Sequence, residues 1–211
     1  MGWKSAAACC MAALGMVVAG VGDEGSHQEE STTQRVPRIL QIARMGDPVL
    51  AQAAKEVPDP TDPEIRQIVD DMFATANDFG PLAGLSAPQV KIPYRIVLFC
   101  VPKEKGEEIP LTVMINPIWE PVSQEKEGRW EACLSVPGLI GYVPRYTHVR
   151  YTYKNLQGEV ITGEAKGFHA RVVQHECDHL DGKMYTERMT DFSQLVFFDE
   201  FDKYIRPKAA P

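Results

Sequence analysis

Between residues 61 and 79 the apolar positions Ile65, Ile68, Val69, Met72, Phe73 and Ala76 recur at helical spacing, and Gly80 follows. With Thr61 or Asp62 as cap and Pro63 in the first turn, the pattern predicts a helix whose apolar face is ordinary core. The pattern then changes to short apolar runs at 95–101, 111–115 and 147–154, and Asn155-Leu-Gln-Gly158 is a turn signal leading into 159–164. Short runs that do not alternate with helices predict antiparallel sheet. A second helical pattern starts at Lys166 or Gly167, runs to Leu180 and stops at Gly182. Phe168, Val172, His175 and His179 share one face of it, because residues four apart lie one turn above each other. A last helix is predicted over 191–204, with Asp191 or Ser193 near its start and apolar Leu195, Val196, Phe197, Phe198 and Phe201. The expected class is α+β, a compact single domain of mainly antiparallel sheet with a central histidine-bearing helix and a C-terminal helix.

Residues 1–22 are an apolar run behind Lys4, followed by a polar stretch over 23–35. This reads as the apolar region of an export signal, a membrane tether, or sequence upstream of the true start. It does not read as a mitochondrial presequence, since Asp23, Glu24, Glu29 and Glu30 precede the first arginine, Arg35. The expected organisation is a leader and linker at 1–36 outside the fold, a folded domain at 37–206 and a tail at 207–211.

Of the 211 residues, 44% are hydrophobic and 24% charged, as in a folded domain. A net charge of −7 provides no basic field to draw the chain onto nucleic acid or anionic lipid, so small or peptidic substrates are the better expectation. The five cysteines, Cys9, Cys10, Cys100, Cys133 and Cys177, are odd in number and irregular in spacing, which argues against a disulfide framework. Cys100 reads as a small core residue in a buried strand.

The chemistry concentrates in His175-Glu176-Cys177-Asp178-His179. On a helix, two imidazoles four residues apart can bind one divalent metal, and the glutamate between them can act as general base toward water. A catalytic metal needs a third protein ligand and an open position. Tyr185 stands where one protease pattern needs a third histidine; Asp199 or Glu200 would serve a downstream-glutamate pattern, but no further pattern supports either. Cys177 lies roughly 200° around the helix from His175 and cannot join it. Cys133 remains a candidate, in Glu131-Ala-Cys-Leu-Ser-Val-Pro-Gly138, read as a short segment ending in a Pro-Gly turn; taken alone it reads as a buried inert thiol, and only its neighbours turn the reading toward a ligand.

Three segments, Gly84-Leu-Ser-Ala-Pro-Gln89, Glu131-Ala-Cys-Leu-Ser135 and Gln174-His-Glu-Cys-Asp-His-Leu180, resemble in order and spacing the signature motifs of peptide deformylases. The resemblance runs from about Ile39, through Gly46-Asp-Pro-Val-Leu50, to about Met189. It implies metal-dependent removal of the N-formyl group from the N-terminal methionine of new polypeptides, by attack of a metal-bound water with Glu176 as general base. It implies Cys133, His175 and His179 as metal ligands, and one divalent ion, Fe²⁺ by family resemblance, with Zn²⁺, Ni²⁺ or Co²⁺ able to replace it. Gln89 and the Leu134 N–H are implied as donors to the formyl oxygen. Gly84 is implied as a backbone position close to the bound peptide, and Glu131 with Arg145 as a pair bracing the cysteine loop.

The chain departs from the common pattern at Leu82 and Ala132, which replace glycines, and at Ser86, which replaces an alanine. Expected partners are N-formyl-methionyl peptides and nascent chains, with transient ribosome contact and no direct nucleic-acid binding. By function the protein is expected in the cytoplasm or an organelle, and the leader leaves export or tethering open. The rival readings are an endoprotease using the HExxH motif, and a structural metal domain, which would need four protein ligands.

Overall fold

The computed structural model describes residues 35–106 and 108–206; the expected leader at 1–22, its linker up to residue 34 and the tail at 207–211 lie outside them. Helix α1 spans Pro63–Phe79; the Asp62 carboxylate accepts the Glu64 N–H at 2.7 Å to cap it, and Gly80 ends it at φ 90°. In chain order follow β1 (Gly84–Ser86), β2 (Ile96–Val101), β3 (Ile109–Pro121), β4 (Lys126–Cys133), β5 (Val136–Tyr146), β6 (His148–Lys154) and β7 (Val160–Lys166). Helix α2 (Gly167–Leu180), β8 (Leu195–Phe197) and the short helix α3 (Phe198–Glu200) complete the chain, the last continuing as a π turn over Phe201–Ile205. The strands form a five-stranded sheet in the order β1-β2-β3-β6-β7 and a three-stranded sheet β4-β5-β8, each pairing antiparallel.

All six residues of β2 are buried because both faces of the large sheet are covered at this strand. Successive side chains of a strand point to opposite sides. Ile96 and Leu98 therefore pack with Val69 and Met72 of α1, while Val97, Phe99 and Val101 pack with Ala170, Val173 and Cys177 of α2. Each Val, Leu, Ile, Phe or Met among them, fully buried, contributes roughly 1.5–3 kcal/mol, so packing more than helix propensity holds α2 in place. Cys100, in the same strand, is a buried core residue as expected. The opposite side of α2, with His175 and His179, turns toward the small sheet. After Leu180 the chain turns through Gly182 at φ 68°, where a Cβ would come within 2.8 Å of the Gln52 backbone.

Two parts of the sequence reading are corrected. Residues 131–138 do not end in a turn at Pro137-Gly138: the turn is Leu134-Ser135, joining β4 to β5 as a long hairpin. Pairing jumps from Ala132↔Ile140 to Cys133↔Val136, so Pro137, Gly138 and Leu139 form a bulge, with Gly138 at φ 80°. The second correction concerns the C-terminal helix, which is present but does not start at 191. Leu195, Val196 and Phe197 instead pair with Gly141, Ile140 and Leu139 as β8, and the helix begins at Phe198. A short apolar run satisfies both helical and strand templates, and the open edge of β5 decides between them.

Arg35 already belongs to the folded unit, since its guanidinium grips the buried Asp71 carboxylate of α1 at 2.8 and 2.6 Å, two residues before the expected domain start. Among the described residues no helix is long and apolar enough to cross a membrane.

Candidate metal centre and active site

The last residue of β4 meets the largely buried His175–His179 turn of α2. Cys133 Sγ lies 3.3 Å from His179 Nε2, and one ligand atom from each of Cys133, His175 and His179 lies within 4.8 Å of the others. A sulfur and two imidazoles suit a first-row transition metal, and three protein ligands leave one position open. Asp199 and Glu200 lie outside this group. Tyr185 stacks its ring on His175, with centroids 6.2 Å apart at 18°. Cys177 faces the sheet, where burial pushes its thiol well up.

A buried ionic network holds strand to helix. The Glu131 carboxylate accepts Nδ1 of His175 at 2.8 Å, Nε and Nη2 of Arg145 at 2.9 Å each, and Nη1 of Arg171 at 2.6 Å. Burial alone would raise the Glu131 pKa, but the bonds from His175 and Arg145 outweigh it and hold the carboxyl well below its usual range. Arg145 also pairs with Asp178, which Arg188 reaches at 2.5 Å, and Arg171 donates to the carbonyls of Val143 and Glu127 at 2.9 and 2.6 Å. Arg171, Asp178 and Arg188 escaped the sequence reading. The available signal was charge on a helix with many apolar positions, Arg171 one turn before His175 and Asp178 inside the motif. Removing one partner from a buried pair typically costs about 3–5 kcal/mol, so this network fixes both Cys133 and His175. The histidines diverge: burial lowers His175, but Cys133 and Glu131 override it and raise its pKa, whereas burial and then the charge of His175 depress His179.

Glu176 is 4% exposed, and burial pushes its pKa up to about 7. Among the described residues neither its Oε2 nor His179 Nδ1 has a hydrogen-bond partner. Unpaired polar atoms in a packed interior are costly, and beside a ligand cluster they fit a site built around an ion and a polar reactant. Gly84 of β1 makes room for this side chain, since a Cβ there would sit 2.7 Å from Glu176 Cδ and closer still to Oε1. The close approach that the sequence suggested for a bound peptide is thus also demanded by Glu176 itself.

Gln89 lies in the tight 3₁₀ turn Ala87–Val90 after β1 and is 2% exposed, not a solvated loop amide. Its Nε2 points at Cys133 Sγ, 3.3 Å away. The Ala43 N–H donates to the Gln89 carbonyl at 2.8 Å and the Met45 N–H to that of Ser135 at 2.7 Å, so one N-terminal segment pins both turns. Leu134 occupies the hairpin turn, half-buried, and Ala132 is exposed, so its extra methyl meets no packed neighbour.

These groups border a groove of about 1680 Å³, lined by residues from Ile39 to Arg206. It exceeds the roughly 300–1,000 Å³ of a small-molecule pocket and has room for a peptide several residues long.

A model of the family described as polypeptide deformylase matches residues 39–194. Peptide deformylase 1 of Bordetella pertussis is 45% identical over 173 residues, covering 78% of this chain and 97% of that protein. Peptide deformylase 2 of Ralstonia nicotianae is 46% identical over 163 residues, covering 75% and 92%. Among solved structures, the Met-Ala-Ser-bound class I type b peptide deformylase from Acinetobacter baumannii superposes with a TM-score of 0.66 at 35% identity, covering 72% of this chain and 98% of that one.

Proposed function

From this chain's membership of the peptide deformylase family, hydrolases that remove the N-formyl group from nascent polypeptides with a single metal ion, we propose roles for its individual residues. Cys133, His175 and His179 hold the ion, and Glu176 is the general base. The observation that carries this reading is the convergence of three ligand atoms beside a buried glutamate with an unpaired oxygen. A divalent ion bound there supplies Lewis acidity, which acidifies water and polarises a carbonyl oxygen.

Glu176 takes a proton from the attacking water and returns it to the departing amine, giving formate and a free amino terminus. A pKa near 7 suits both halves of that exchange. Gln89 Nε2 and the Leu134 N–H donate to the carbonyl oxygen as its charge develops; losing one such donor costs about 2.7–4 kcal/mol. Glu131 keeps the Nδ1 proton of His175, leaving Nε2 for the metal, and Arg145 with Arg171 keeps Glu131 ionised in its buried position. The groove beside Gly84 takes the formyl-methionyl peptide, in line with the Met-Ala-Ser found in the Acinetobacter structure. We place the enzyme where nascent chains emerge, in the cytoplasm or an organelle, in transient contact with the ribosome.

The resident ion is Fe²⁺, following the family resemblance. Protein purified anaerobically should contain one iron per chain, and air should inactivate it as iron and thiolate oxidise. An anaerobic preparation that is fully active with zinc alone would contradict the assignment.

A further inference from the structure

We propose that Ser86 is a positioning residue that acts through Gln89, fixing which end of the Gln89 amide faces the reacting carbonyl. The inference rests on the reading of Gln89 as a donor to that carbonyl. Two bonds converge on Gln89 Oε1, from the Ser86 N–H and from the Ser86 hydroxyl, each at 2.9 Å. A backbone N–H can only donate, so the amide atom facing it is the oxygen, and Nε2 must point the other way. On that side lie Cys133 Sγ at 3.3 Å and Ser135 Oγ at 3.4 Å. Ser86 and Ser135 are fully buried, so water cannot stand in for either hydroxyl.

The hydroxyl adds two things to what the backbone already provides. It gives the carbonyl oxygen a second donor, which narrows the amide to one rotation, and it polarises the amide so that the opposite N–H donates more strongly. Both effects matter most when negative charge develops on the carbonyl oxygen, and little when the neutral substrate binds. The expected signature is therefore in kcat and not in KM.

Ser86→Ala deletes one oxygen from a buried site. In the metal-loaded enzyme it should lower kcat on formyl-Met-Ala-Ser by about three- to tenfold, the worth of one neutral hydrogen bond, with KM unchanged within about twofold. Metal content per chain should equal that of the native enzyme. Because Ser86 works through Gln89, adding Ser86→Ala to Gln89→Ala should change kcat no further. A Ser86→Ala enzyme with native kcat, or the same fold loss in both backgrounds, would overturn the role of Ser86 while leaving Gln89 in place. Native kcat in Gln89→Ala would instead overturn the reading of Gln89, and the role of Ser86 with it.

Discussion

Glu176→Ala should keep close to one metal ion per chain while kcat falls by at least about 10²–10⁴, the range associated with general acid–base catalysis. Metal retention follows from position: the ligand group consists of Cys133, His175 and His179, and the Glu176 carboxylate sits against Gly84. Loss of rate follows from chemistry, because no other described residue combines burial, an unpaired carboxylate oxygen and a pKa pushed up to about 7. The fold should survive, since the change removes a carboxylate whose burial is unfavourable when ionised. Glu176→Gln separates shape from protonation, as it preserves the contact with Gly84 but cannot accept the proton. A folded Glu176→Ala protein that has lost its metal would show that this side chain serves the ion and not the water.

Cys133→Ala should lose metal and activity together, whereas Cys100→Ala should keep both. Cys133 supplies the only sulfur in the ligand group, and its removal leaves two imidazoles from one helix. Affinity should fall by more than the roughly 10–100-fold that follows loss of an outer hydrogen-bonding partner. Cys100 faces the Leu82 carbonyl within the β2 layer, far in role from the cluster although also a buried thiol. Elemental analysis of the two variants beside formate release decides the matter. A fully metallated, active Cys133→Ala enzyme would remove the distinction between this site and other HExxH hydrolases.

Much of the architecture was legible because two of its devices are periodic. The α1 pattern located its helix and narrowed its cap to Thr61 or Asp62, and the HExxH spacing on α2 put two imidazoles on one face and Cys177 on the other. The hairpin that brings Cys133 to them was not legible. In β4 the run Lys126-Glu-Gly-Arg carries charge and a glycine, and Gly128 is there because the Tyr142 ring covers it, with Cζ 2.6 Å from where a Cβ would be. Prolines and glycines that usually signal turns lie within β5, where Pro137 and Gly138 build a bulge. The Arg171 and Asp178 contacts, and the bond from Ser86 to Gln89, pair residues whose partners only the folded chain brings within reach or orients. The motifs named the reacting groups through a family resemblance; their supports follow from packing.

Which bond is cut tests the account most directly. If Gln89 and the Leu134 N–H both donate to the formyl oxygen as proposed, the site should have space for one small acyl group, and an acetyl group adds a methyl where formyl has hydrogen. One such group is discriminated by about 1–3 kcal/mol, or roughly 10–200-fold in rate, and by more when the misfit displaces the attacked carbonyl. Formate release from formyl-Met-Ala-Ser, a far slower reaction with acetyl-Met-Ala-Ser and intact unfolded casein are the predicted result. Rapid digestion of casein without formate release would contradict it.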